Sequence, residues 1–262
     1  MPAAEPRLDG RVAFVAGASR GIGRSIAVAL AGAGARVVVA ARTQTPGRVP
    51  GTINEVAEQI GATGGVALPV RCDLTDEASI DAAVATAVER FGGIDVLVAN
   101  AAFMSLAKTL DTTPKRWELS LRVNLTGTFL VTRAVLPHVQ ARGSGSLIAL
   151  TTKGVEMIDA GANAYWVSKA GVERYYRGLA AEVREHNIAV NCLAPSGLVL
   201  TEGAVASGIT ARGRDLETAE SVARAALWLA VQDGDGLTGE VVYSRDVLQR
   251  FEPSALAGGV AG

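Results

Sequence analysis

The feature that most constrains this chain is a series of short runs that are apolar almost throughout. They are Val12–Ala16, Arg36–Ala41, Val66–Val70, Val96–Ala99, Ser146–Leu150, Ile188–Leu193 and Glu240–Tyr243. A strand with one face in water alternates apolar and polar residues, whereas a continuously apolar strand is buried on both faces. Between these runs lie segments with helical spacing: Ile22–Ala33, Asn54–Ile60, Glu77–Phe91, Ala164–Glu185 and Ser221–Ala230. Another helix starts at Thr113-Pro114, with a capping hydroxyl and a first-turn proline, and runs through Asn124 to about Val139. Strands and helices alternate from end to end with no repeat or linker. This pattern predicts one α/β domain over residues 1–262, a doubly wound parallel sheet with helices on each side.

Composition narrows the function. Net charge is −1 with no basic or acidic block, which argues against nucleic acid or a membrane surface as partner. There is no uninterrupted apolar run of about 18 residues that would span a bilayer. Residues 1–10 carry Glu5, Arg7 and Asp9 and do not read as a signal peptide. Cys72 and Cys192 sit in apolar runs and read as buried free thiols, and no Cys/His cluster has metal-ligand spacing. A cytoplasmic protein without a metal is expected.

Gly17-Ala18-Ser19-Arg20-Gly21-Ile22-Gly23 lies between the first strand and the first helix. In that context glycines permit a tight turn and close approach of backbone N–H groups to a pyrophosphate, to which the helix N-terminus adds partial positive charge. Dinucleotide binding is expected. An acid at the end of the second strand would bind a ribose 2′-hydroxyl and favour NAD. Ala41 stands there instead, followed by Arg42, and Arg20 lies inside the loop. Two guanidinium groups suit a 2′-phosphate, so NADP(H) is expected over NAD(H).

Tyr165 and Lys169 are four apart on a predicted helix and so share a face. A cation beside a phenol stabilises the phenolate and makes tyrosine a usable acid or base. Tyr and Lys four apart are also a common surface pair, so the spacing alone makes Tyr165 only a candidate proton carrier.

The order Gly17–Gly23, Asp73, Asn100-Ala101-Ala102, Asn124, Tyr165–Lys169 and Pro195…Thr201 resembles the short-chain dehydrogenase/reductase family over about residues 8 to 245. The resemblance implies a seven-stranded Rossmann sheet, a nicotinamide cofactor, a homodimer or homotetramer, and a small carbonyl or alcohol substrate. It implies cofactor contacts at Gly17, Ser19, Arg20, Gly21, Ile22, Gly23, Arg42, Asp73, Leu74, Asn100, Tyr165, Lys169 and Thr201. Asp73 would bind the adenine amino group, and Thr201 the carboxamide. Tyr165 would protonate the carbonyl oxygen. Lys169 would lower the Tyr165 pKa and bind the ribose, and Asn124 would hold a relay water. The family's serine, thirteen residues before the tyrosine, corresponds to Thr152, with neighbouring Thr151 the alternative. Residues 202–216 would form a substrate lid, mobile before binding.

The chain departs from the family pattern in three places. Ala102 replaces a glycine, Ser196 stands as if inserted between Pro195 and Gly197, and Ser244-Arg245-Asp246 follows the last strand where an aspartate and two glycines are common. With the 46–52 loop, this ending resembles a branch of hydroxysteroid dehydrogenase-like proteins. The loop charges Lys153, Glu156 and Asp159 read as solvated, Arg48 lies in a loop too irregular to assign to the cofactor, and Met157 and Trp166 are candidates equally for apolar walls of the site and for core or interface packing. Reduction of C=N or C=C, or a non-catalytic NADP-binding role, are the alternative functions.

Overall fold

The computed structural model describes residues 5–157 and 160–252. The expectations for residues 1–4 and for Asp159 lie outside the described residues. Seven strands form one sheet: β1 (Val12–Ala16), β2 (Arg36–Ala41), β3 (Val66–Arg71), β4 (Val96–Ala99), β5 (Gly145–Leu150), β6 (Ile188–Ala194) and β7 (Val241–Tyr243). All pairings are parallel, in the order β3-β2-β1-β4-β5-β6-β7. The order reverses between β1 and β4. A crevice opens at the carboxyl ends of the strands at such a reversal, and ligands bind there.

Helix α1 (Gly21–Gly32), α2 (Ile53–Ala62), α3 (Glu77–Phe91), α4 (Pro114–Leu121), α5 (Gly127–Gln140), α6 (Asn163–Glu182), α7 (Glu202–Ala206), α8 (Ala219–Ala230) and α9 (Ser244–Phe251) complete the chain. Side chains of β1 point alternately to two cores. Ala13 and Val15 join Ile26, Leu30, Val222 and Leu229 under α1 and α8. Val12 and Phe14 join Ile80, Val131, Val135 and Val172 under α3, α5 and α6. Burial on both faces explains why the central strands read as unbroken apolar runs. β3 is one of the two edge strands, and its Val66 is exposed.

Two elements differ from the sequence reading. The long helix from Pro114 is continuous but widens into a π-helical turn over Arg122–Thr126, with Asn124 fully buried inside it. Such turns expose backbone that a regular helix would use internally. After β7 the chain forms helix α9, with Ser244, Val247 and Leu248 buried, where the sequence reading placed no helix.

Candidate active site

The glycine loop closes on the ends of β1 and β4. Gly17 has φ +84°, a region open to glycine, and a Cβ there would sit 2.6 Å from the Ala101 backbone. A Cβ on Gly23 would lie 2.2 Å from the Gly17 carbonyl, the same oxygen that accepts Asn100 Nδ2 at 2.8 Å. Asn100 therefore holds the loop's shape. At the start of α1, Arg20 gives no side-chain cap and the first turn contains no acid. By contrast, α2, α3 and α8 are each capped by a side chain and carry an acid in the first turn. An uncapped, acid-free helix start with glycine clearance fits a dinucleotide pyrophosphate.

The cavity beyond the loop measures roughly 1050 Å³. Gly17, Ser19, Arg20, Gly21 and Ile22 line it, as do Arg42, Asp73, Leu74 and Asn100. Gly23 lies behind, packed on Gly17 and Asn100. Thr152, Tyr165, Lys169 and Thr201 line the same cavity. Asn124 is fully buried.

Arg42 is exposed at the end of β2. The Asp73 carboxyl is held below the usual range: burial works against this, but hydrogen bonds from the Thr75 backbone and hydroxyl prevail, helped by Arg42 and Arg71. Arg20 is partly committed. Its Nη2 donates to Thr43 Oγ1 at 3.1 Å and to the Gly51 carbonyl at 2.9 Å, which straps the 43–52 loop onto the glycine loop. Its Nε is buried without a partner among the described residues.

The two threonines divide clearly. Thr151 Oγ1 donates to Glu173 Oε1 at 2.6 Å, so its proton is engaged. Thr152 Oγ1 accepts from Gly154 N at 3.2 Å, which leaves its own proton free to meet a substrate oxygen. Trp166 packs across Gly154, where a Cβ would lie 2.2 Å from the indole nitrogen, and both Trp166 and Met157 line the cavity.

Lys169 is 2% exposed, and its Nζ donates to the Leu150 carbonyl at 2.7 Å. Burial pushes its ammonium down to about 8, against opposing effects of Cys192 and Glu173. The Nζ lies 5.9 Å from the centre of the Tyr165 ring. The Tyr165 phenol is pushed up by burial to about 12. This is opposite to the direction expected from the sequence. Desolvation exceeds the effect of an ammonium whose hydrogen bond is directed at Leu150.

The Asn124 side chain is fully occupied. Its Oδ1 accepts Phe103 N at 2.6 Å, while its Nδ2 donates to Phe103 O at 3.0 Å and to Ser168 Oγ at 2.9 Å. It clamps the loop after β4 to α6, so any relay role falls to its backbone carbonyl, which already accepts Thr128 Oγ1 at 2.7 Å.

Thr201 Oγ1 caps α7 by accepting Ala204 N at 3.1 Å, and its methyl packs against Gly21. The far end of the lid is tied by Glu217, a buried residue that the sequence reading passed over. Its carboxylate accepts Ser196 N, Gly197 N, Ser221 Oγ and Ser244 Oγ at 2.7–3.1 Å. Arg245 forms a two-point pair with Asp215 at 2.6 and 3.0 Å. The inserted Ser196 and the unusual Ser244-Arg245 thus belong to one structure. Little in the local sequence signals it, because apart from Ser221, four residues on, its partners lie 20 to 49 residues apart.

The profile of the short-chain dehydrogenase family matches residues 11–209. The chain belongs to this family. It is 38% identical over 247 residues to a hydroxysteroid dehydrogenase-like protein 2 from Danio rerio, which covers 93% of this chain but 59% of that relative. The chain therefore spans about six tenths of the length of that relative. A structure from Xanthomonas campestris assigned as a dehydrogenase superposes with TM-score 0.83 at 33% identity, over 97% of this chain and 91% of the other. A 7α-hydroxysteroid dehydrogenase solved with NADH and 7-oxo glycochenodeoxycholic acid superposes with TM-score 0.80 at 30% identity, over 90% and 93%. Members of this family are oxidoreductases that use a nicotinamide cofactor on small molecules, and the seven-stranded parallel fold agrees with that membership. Among the described residues no helix is long and apolar enough to cross a membrane, and no acidic, His or Cys group is placed to hold a metal.

Proposed function

We propose that this short-chain dehydrogenase is an NADP(H)-dependent carbonyl reductase with Tyr165 as proton donor. The observation that carries this reading is that Tyr165, Lys169 and Thr152 line the same cavity as the glycine loop. The cofactor, when bound, supplies the hydride. Gly17, Gly21 and the uncapped start of α1 would hold its pyrophosphate, and Asp73 its adenine. Tyr165 gives its proton to the substrate oxygen. A phenol at about 12 stays protonated through neutral pH, which suits the reductive direction. Thr152 donates a second hydrogen bond to the same oxygen, and Lys169 positions the ribose side of the site.

The NADP(H) preference rests on Ala41 and Arg42 more than on Arg20, because two hydrogen bonds of Arg20 are spent on the 43–52 loop. The free, buried thiols Cys72 and Cys192 suit a reducing compartment such as the cytoplasm. Exposed Phe129 on α5 and Val167 on α6 support self-association through these helices, to be measured by light scattering. The test of function is turnover of ketones, aldehydes, imines and enones with NADPH and NADH. Carbonyl reduction with NADPH is expected. Turnover confined to imines or enones would replace the carbonyl assignment.

A further inference from the structure

Tyr165 and Lys169 continue into a third residue. Glu173 lies one turn beyond Lys169 on α6, so the three form a stripe at positions i, i+4 and i+8. The stripe grips the end of β5 at successive residues. Lys169 Nζ donates to the Leu150 carbonyl at 2.7 Å, and Glu173 Oε1 accepts the Thr151 hydroxyl at 2.6 Å. Thr152, which lines the cavity, is the next residue along.

Resting on the reductase reading above, we propose that Glu173 is a positioning residue that keeps Lys169 in its ammonium form and anchors the strand end that carries Thr152.

The surroundings decide which group can supply the negative charge. Lys169 faces Tyr165 and Glu173 on its own helix, the Leu150 carbonyl on β5 and Cys192 on β6. Tyr165 is held protonated by burial, and the buried Cys192 thiol is pushed up to about 12, so neither is an anion near neutral pH. Glu173 remains. Its carboxyl is raised by burial, while the Thr151 hydroxyl, Arg177 and Lys169 favour its charged form and Glu156 opposes it. Glu156 is shared with Tyr243 on β7, whose phenol is raised by burial first and by Glu156 next. Lys153 lies over the Tyr243 ring at 5.8 Å. Because burial leaves Lys169 at about 8, near the working pH, a modest change in neighbouring charge alters how much of it is protonated.

The test is a titration that needs no substrate. The chain's lysines are Lys108, Lys115, Lys153 and Lys169, so a protein labelled at lysine 13Cε gives few signals, and Lys169→Met assigns the buried one. In Glu173→Gln, which keeps an acceptor for Thr151, the Lys169 midpoint is expected to fall by at least about half a pH unit, roughly threefold in the ammonium-to-amine ratio. Glu173→Asp should keep the midpoint near wild type, and Cys192→Ala should leave it unchanged. An unchanged midpoint in Glu173→Gln overturns the proposal, as does an equal fall in Cys192→Ala, which would mean packing rather than charge. With a substrate that turns over, Glu173→Gln should lower kcat near pH 8 more than it raises KM. If no carbonyl compound is reduced, the reductase reading fails while the titration still decides the role of Glu173.

Discussion

Ser244 Oγ donates to the Glu217 carboxylate at 2.7 Å, with Ser244 wholly buried and Glu217 nearly so. The same serine oxygen accepts the backbone N–H of Ser196 at 2.9 Å. Two departures from the family pattern, far apart in the chain, therefore meet on one carboxylate at the far end of the lid. A buried carboxylate is stable only when its lone pairs are matched by donors, and this one is matched by backbone and side chains from three segments.

Removing the carboxylate should loosen that end of the site. Glu217→Ala leaves the Gly197 N–H without its acceptor and the Ser196 N–H with Ser244 Oγ alone, at a cost of about 1–3 kcal/mol for a donor left unmatched. A lower Tm and a raised KM with little change in cofactor binding are expected, measured by calorimetry and steady-state kinetics. A KM equal to wild type would show that the tie has no bearing on the substrate end.

Arg42 should decide the cofactor. Arg42→Asp puts a carboxylate where the 2′-phosphate is proposed to lie, and its kcat/KM ratio should move toward NADH by at least about tenfold. A wild-type enzyme that already prefers NADH would defeat the argument from Ala41 and Arg42.

Thr152 rather than Thr151 should serve the substrate oxygen, because the Thr151 proton is bound to Glu173. Thr152→Ser is expected to remain active. Thr152→Val should lose roughly two orders of magnitude in kcat, about 3 kcal/mol, the usual size of one such hydrogen bond. Equal rates for the valine variant and wild type would make the hydroxyl a bystander.

Tyr165→Phe should bind cofactor and fold normally yet lose turnover. With the phenol at about 12, the donor form is complete through neutral pH, so the reductive rate should bend only as Lys169 loses its proton above about pH 8. A pH–rate profile from pH 6 to 10 reads this directly. Near-normal turnover in Tyr165→Phe would remove the proposed mechanism.

Lys169 should cost stability at neutral pH. Its folded pKa of about 8 lies below the ordinary 10.5, so the unfolded chain binds more protons between those values. Stability therefore rises with pH across that window, and the penalty is complete below it, at about 3 kcal/mol. Lys169→Met should raise Tm by a few degrees at pH 7, and its advantage should fade toward pH 10. A variant less stable than wild type at pH 7 would show that the bond to Leu150 outweighs the burial of charge.

The sequence by itself determined the sheet, its parallel sense and the place of the glycine loop. These rest on local patterns: apolar runs for strands buried on both faces, 3.6-residue spacing for helices, and glycines at a strand–helix junction. It also determined that Tyr165 and Lys169 share a helix face, and the same spacing already contained Glu173 one turn on. Only the tertiary structure decided what those groups do to one another. The direction of the Tyr165 pKa turned on burial and on where the Lys169 ammonium points, neither of which spacing contains. That Thr151 spends its hydroxyl proton within the protein turned on a carboxylate 22 residues away. Asn124 became a clamp because the loop after β4 folds back onto its π-helical turn. Hydrogen bonds and desolvation depend on which distant segments meet, whereas periodicity depends only on neighbours along the chain.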